Sequence, residues 1–110
     1  MENNLSWKDF MKVEMRTGTI VKAELFQEAI KPAYKLLLDF GNLGLKKTSA
    51  QITDLYHIED LIGKQVVAVV NFPPKQIANM QSECLILGAV GNEVTLLTTE
   101  RKTKNGLRVG

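Results

Sequence analysis

Cys84 and His57 are the side chains best suited to act as nucleophile and base near neutral pH, and each type occurs once in the 110 residues. A hydrolase or transferase built on them needs the two within hydrogen-bond reach, with an oxyanion donor beside them. Their settings argue against that. His57 falls in a polar segment and Cys84 opens an apolar run, so they read as a surface imidazole and a buried small side chain. One cysteine and one histidine also supply too few ligands for an ordinary zinc site, and a lone cysteine makes no intramolecular disulfide. Glu59 and Asp60 are chain neighbours on an acidic stretch, and Asp39 stands alone. The glycines of Gly41-Asn42-Leu43-Gly44 lack the lysine and hydroxyl of a phosphate loop. The expectation is therefore no catalysis, no metal and no cofactor, with binding as the chemistry to look for.

Binding residues are easier to nominate. Net charge is only +2, so the whole molecule does not demand a polyanion. The charges are uneven, however. Lys31, Lys35, Lys46 and Lys47 face one acid, Asp39, within their stretch, while the tail RKTKNGLRVG carries Arg101, Lys102, Lys104 and Arg108 with none. Such lysines serve solubility, or they form a stripe for phosphates if neighbouring strands align them. The run VVNFPPKQIANMQSECLILG holds a second group. An apolar strand stops there at Asn71 and a double proline, then resumes after Ser82 and Glu83. It is either a turn between core strands or a loop at a barrel mouth. In the second case Pro73 and Pro74 stiffen it, Phe72 walls it, and Asn71 and Ser82 fix a ligand backbone or phosphate.

These groups need a scaffold, and periodicity supplies one. Residues 5–11 have a short-helix signature, with Ser6 as cap, Asp9 at the third position and a Leu5–Phe10 staple. A helix that short is marginal in water, so Trp7, Phe10 and Met11 must pack on the body or on a second subunit. From Val13 to Leu25 the period is two, placing Val13, Met15, Thr17, Thr19, Val21, Ala23 and Leu25 on one face, with a bend or bulge expected at Gly18. Tyr34 to Phe40 and about Leu45 to Ile52 alternate again. Thr53 is a candidate cap for a helical turn in a segment closed by Gly63. Five apolar residues from Val66 imply a strand covered on both faces or tightly curved. Cys84 to Val90, a Gly91-Asn92 turn and Val94 to Thr98 read as a hairpin. This order, in one domain, is that of an all-β, five-stranded oligonucleotide-and-oligosaccharide-binding (OB-fold) barrel with a short N-terminal helix over residues 1–12, a short inserted helix and a C-terminal extension. The apolar runs are too short to cross a bilayer as a helix, and the N-terminus has no export signal, so a cytoplasmic protein without membrane insertion is expected.

The ordered runs RTGTIVKAELF, KLLLDFG, TSAQI, GKQVVAVVNFPPKQI and SECLILG, across about residues 8–110, carry a resemblance. The chain resembles the tRNA-binding barrel domain found beside methionyl-tRNA synthetases and in endothelial-monocyte-activating polypeptides, and within that family its secretion-chaperone branch. The resemblance implies a homodimer, no catalysis, and either unfolded or export-bound polypeptides or tRNA as partners. It assigns nucleic-acid contacts to Ser49, Asn71, Lys75 and to Ser82 with Glu83, beside the stripe Lys35, Lys46 and Lys47. It leaves Phe26, Tyr34, Asn71 and Phe72 as the expected peptide contacts. Leu85 stands where tRNA-binding members have methionine, and Ser49-Ala50 replaces their Ser-Gly; both variants favour the chaperone branch. Asn79 replaces a turn glycine and is the residue expected to take positive φ.

Overall fold

The computed structural model describes residues 3–110, so the first two residues of the expected N-terminal helical segment, 1–12, lie outside it. The helix itself, α1, is Trp7–Lys12. Its cap is the expected one, with Asp9 N–H donating to Ser6 Oγ at 3.0 Å. None of its residues is buried, and Trp7 is 72% exposed.

The barrel strands are β1 (Met15–Leu25), β2 (Tyr34–Asp39), β3 (Leu45–Ala50) and β4 (Gln65–Val69), followed by five short strands: β5 (Lys75–Ile77), β6 (Met80–Ser82), β7 (Leu85–Ile86), β8 (Gly88–Val90) and β9 (Val94–Leu96). The main sheet runs β3-β2-β1-β4-β7, all antiparallel, and curls into a nearly closed barrel. β10 (Arg108–Val109) adds to the start of β1 where β2 has ended, and β5–β6 and β8–β9 are separate hairpins.

Alternation on β2 sends Tyr34, Leu36 and Leu38 inward and Lys35, Leu37 and Asp39 outward, as expected from its period of two. On β1 the structure departs from the simple pattern. Thr17, Gly18 and Ile20 are buried and Val21 is exposed, because the register with β2 slips between Ile20 and Lys22. One extra residue at a bulge swaps the faces of everything after it. The bulge thus lies beyond Gly18, whose own reason is packing: a Cβ there would sit 2.7 Å from Phe40 Cε1. Ile20, Leu36, Leu38, Phe40, Leu61, Val66 and Ala68 join Cys84 in the core.

β4 is buried on both faces, as its unbroken apolar run implies. Val66 and Ala68 point into the barrel. Val67 and Val69 share the other face with Gln65, Thr17 and Thr19, and there the C-terminal segment is tied down. Thr17 Oγ1 donates to the Lys104 carbonyl at 2.8 Å and accepts the Leu107 N–H at 3.0 Å. Gln65 Nε2 donates to the Thr103 carbonyl at 2.7 Å, and its Oε1 accepts from Thr99 Oγ1 and Thr103 N–H, both at 2.9 Å. The basic tail is a fixed strap.

The inserted helix, α2 (Ile58–Leu61), begins later than Thr53, which caps no helix; Leu61 plugs the core and Gly63, at φ +89°, ends the segment. The expected strand from Cys84 to Val90 is divided at Leu87, with β7 in the barrel and β8 turning out to pair with β9.

Gly18→Ala is expected to destabilise the fold by about 1–3 kcal/mol, since Phe40 has no room to retreat in a filled core. Urea denaturation checks it. An unchanged midpoint contradicts the packing role of this glycine.

Candidate binding groove at the barrel seam

The seam between β3 and β7 is drawn together at one end by Glu83. Its backbone N–H donates to the Lys47 carbonyl at 2.8 Å, and its Oε1 accepts the Lys47 N–H at 2.9 Å. A carboxylate therefore completes what a neighbouring strand would supply. Thr48 Oγ1 adds a bond to the Cys84 carbonyl at 2.7 Å and lies 3.1 Å from Ser82 Oγ. Glu83 thus acts on the chain itself, which the sequence alone does not disclose.

Above this clasp the chain leaves β4 through Asn71-Phe72-Pro73-Pro74 and returns as the β5–β6 hairpin, with Lys75 opposite Ser82 and Ile77 opposite Met80. The stretch expected as a loop is a two-stranded arm. Its turn places the positive φ on Ala78, at +50°, and not on Asn79. The arm is anchored where Phe26, Ala33 and Met80 form a second buried cluster, with Ile77 packed against it.

Between arm and barrel lies a groove of about 330 Å³, walled by Phe72, Pro73, Ile77 and Leu85, with Thr48, Ser49, Ser82 and Cys84 below and Lys75 at its rim. Phe72 is 56% exposed and Leu85 49%. Four expected site residues therefore meet here: Ser49, Phe72, Lys75 and Ser82. Among the described residues, Lys75 is the only charged side chain lining the groove. Leu85, Ile77 and Pro73 are walls that sequence reasoning does not nominate.

Other expected contact residues lie elsewhere. Phe26 and Tyr34 are buried, Phe26 under the arm and Tyr34 in the barrel with its hydroxyl donating to the Tyr56 carbonyl at 2.7 Å, so neither ring offers peptide contact. Both are expected as apolar surface, and packing claims them. Asn71 is also occupied internally. Its Oδ1 accepts the Glu14 N–H at 3.0 Å and its Nδ2 donates to the Lys12 carbonyl at 2.7 Å, which clamps the end of α1 to the arm.

The lysine stripe is split by strand parity. Lys47 pairs with Leu37 and Lys46 with Leu38, so the two lysines point to opposite faces of β3. Lys35 and Lys47 share the outer face, where Lys22, opposite Leu37, joins them around a hollow of about 330 Å³. Lys35 lies 3.4 Å from Glu24 and 5.3 Å above the Phe26 ring. Lys46 lies on the other face of β3, and its charge acts on Cys84.

Cys84 lies at the groove floor, and burial pushes its thiol from 9.0 up to about 12, against the opposing effects of the Thr48 hydrogen bond and the Lys46 charge. At neutral pH it is a protonated, non-nucleophilic side chain.

A nearly closed, five-stranded antiparallel barrel with a groove beside its seam is an OB-type binding barrel. The chain belongs to the family described as "Putative tRNA binding domain", which matches residues 15–108. It is 33% identical over 101 residues to the methionine–tRNA ligase of Methanocella arvoryzae, covering 92% of this chain and 15% of the ligase. It is 37% identical over 101 residues to methionine–tRNA ligase 1 of Sorangium cellulosum, covering 92% of this chain and 14% of that one. The chain thus spans about 15% of the length of the ligases it matches. Among solved structures, the chaperone CsaA of Bacillus anthracis superposes with a TM-score of 0.93 at 48% identity, over 97% of this chain and 99% of that one. The CsaA chaperone protein of Picrophilus torridus gives 0.92 at 49%, over 97% and 100%. A MetRS-related protein of Pyrococcus horikoshii gives 0.87 at 29%, over 98% and 99%.

The raised thiol pKa sets an alkaline limit. Below pH 9 the thiol is protonated in folded and unfolded chains alike, and between about 9 and 12 only the unfolded chain releases the proton. Stability is expected to fall across that window by up to about 1.4 kcal/mol per pH unit from this group. Denaturation of the native protein and of Cys84→Ala at pH 8 to 10.5 isolates the contribution. Equal slopes for the two proteins contradict it.

Proposed function

We propose that this protein is a non-enzymatic binding protein that holds unfolded or export-bound polypeptides in the seam groove, in the manner of a chaperone, as a cytoplasmic homodimer. The observation that carries the reading is Phe72, an aromatic ring left more than half exposed on a proline-stiffened segment and facing a groove with apolar walls and one ammonium. Apolar area of this kind gains from covering an extended peptide and gains nothing from a phosphate. The likeness to two CsaA chaperones, over nearly their whole length, supports the same reading.

A second reading, tRNA binding, is favoured by the family and by the outer face of β1–β3. There Lys22, Lys35 and Lys47 converge and Glu24 offsets one of them. The two readings rest on different side chains, Phe72 over the seam and Lys22, Lys35 and Lys47 around the outer hollow, so they are separable by mutation. Phe72→Ser is expected to abolish suppression of aggregation of an unfolded client while tRNA affinity stays within about twofold; the apolar surface removed is worth up to about 1.5–3 kcal/mol. Paired replacement of Lys35 and Lys47 by Glu is expected to weaken tRNA binding and flatten its salt dependence by roughly 0.7–0.9 for each phosphate no longer neutralised. Full chaperone activity in folded Phe72→Ser sinks the first reading. An unchanged salt slope in the lysine variant sinks the second.

The homodimer rests on α1. Leu5, Trp7, Met11 and Val13 are exposed together with Leu107, and the body of the protein does not cover them. A second copy provides the cover that so short a helix needs. Light scattering is expected to give about twice 12.3 kDa for the native protein, and the monomer mass for a Trp7→Ser, Met11→Ser variant. A native monomer at micromolar concentration contradicts the dimer.

A further inference from the structure

Hydrogen-bond phase along the seam shows which main-chain groups the barrel leaves free. Phe40 N–H donates to the Gly44 carbonyl at 3.0 Å, so Gly44, Lys46, Thr48 and Ala50 turn their backbone groups toward β2. The alternate residues turn theirs away, and Lys47 does so to meet Glu83. Ser49 and Gln51 follow in the same phase, beyond the reach of the Glu83 clasp. Their N–H groups meet no partner on that side among the described residues, and the Ser49 carbonyl has only a 3.3 Å contact from Thr48 Oγ1. On the facing strand, Leu87 N–H donates to the Val67 carbonyl at 2.9 Å, so Leu85 and Leu87 serve β4 and Ile86 faces the seam. Between the two lies a slot of about 260 Å³ lined by Ser49, Gln51, Leu85 and Ile86. It shares Ser49, Ile77 and Leu85 with the groove under Phe72, so slot and groove are continuous.

We propose that this slot takes an extended polypeptide segment as an added β-strand, antiparallel to β3 and hydrogen-bonded through its main chain to Ser49 and Gln51. The inference deepens the polypeptide-holding reading above and rests on it. Main-chain pairing to a free sheet edge asks for no particular sequence, while side pockets accept alternate side chains. That combination suits a protein whose clients share an unfolded state and no motif.

Charge fixes the occupant and its direction. At the Ser49 end the rim carries Lys75, with the Glu83 carboxylate, already engaged by the Lys47 N–H, offsetting part of its charge. At the Gln51 end it carries Asp54 and Glu93, with Lys31 offsetting one of them. β3 runs from the first end to the second, so an antiparallel strand sets its N-terminal end beside the carboxylates and its C-terminal end beside Lys75. The segment that fits is apolar at alternate positions, basic at its N-terminal end and acidic at its C-terminal end. A nucleic-acid backbone laid along the slot would bring phosphate against Asp54 and Glu93.

The test uses a fluorescein-labelled nonapeptide, one Lys, seven alternating Val and Thr, then one Glu, titrated with the full-length protein by fluorescence anisotropy. A series replaces one amide at a time with an ester, which removes an N–H without adding bulk. Esters at the two alternate positions opposite Ser49 and Gln51 are expected to weaken binding roughly fivefold each, the scale of one hydrogen bond removed, and an ester at the position between them to leave it unchanged. Exchanging the terminal Lys and Glu is expected to weaken it as well. Ser49→Pro removes the N–H on the free side of an edge strand, where proline is tolerated, and is expected to fold normally and lose the peptide. If Ser49→Pro unfolds, the ester series still decides. Binding that ignores every ester overturns the added strand and leaves a groove that reads side chains only. Tighter binding of the charge-exchanged peptide overturns the orientation. Displacement of the peptide by a decauridylate overturns the exclusion of nucleic acid from the slot. If the all-amide peptide does not bind and Phe72→Ser still suppresses aggregation, the polypeptide reading falls with it.

Discussion

Lys47 gives its backbone N–H to the Glu83 carboxylate and takes the Glu83 N–H on its carbonyl, and the shape of the functional face depends on that exchange. A five-stranded sheet with β3 and β7 at its edges must either close fully or leave two rows of unpaired backbone. Here a side chain closes one stretch. It brings Ser82 and Cys84 against Thr48 and swings the β5–β6 arm over the seam. Because a carboxylate imitates only one residue of a strand, the closure stops at Lys47. The open slot and the clasp have the same cause.

The arm that walls the groove is held at both ends by residues whose chemistry suits ligand contact. Phe26 and Met80 lock its tip to the barrel, and Asn71 ties its root to Lys12 and Glu14 at the end of α1. Arg108 Nη2 adds a bond to the Met11 carbonyl at 3.0 Å. The N-terminal helix, the Phe72 segment and the C-terminal strap therefore form one hydrogen-bonded unit. Whatever covers α1 also steadies the groove wall.

Much of this is legible in the sequence where a single period runs undisturbed. Tyr34 to Asp39 keeps its alternation, the run from Val66 is buried on both faces, and Ser6 caps α1. What does not show are features set by partners distant in the chain. The bulge after Ile20 depends on register with β2, so a plain period of two puts Val21 on the wrong face. Tyr34 and Phe26 carry no local mark that distinguishes a core aromatic from a surface one. Asn71 before a double proline has the chemistry of a ligand residue, and only the position of Glu14 shows its amide to be spent. For the groove itself, Ser49, Phe72, Lys75 and Ser82 are legible as types, but their convergence requires the Glu83 clasp.

The distribution of charge separates the two kinds of partner more sharply than the aromatic content does. On the outer face three lysines gather with a single carboxylate, a field that favours phosphate at any point of approach. Along the seam Cys84 stays a thiol, the Glu83 carboxylate is engaged by the Lys47 N–H, and the rims carry Lys75 toward one end and Asp54 with Glu93 toward the other. Opposed ends repel a polyanion at one of them and attract a zwitterionic chain at both, with a preferred direction. The strand between the two faces, β3, presents side chains alternately to each, Lys47 and Ser49 outward and Lys46 and Thr48 inward. Its unpaired edge belongs to neither face. If both proposed readings hold, β3 and the residue after it would meet two partners of different chemistry through different atoms.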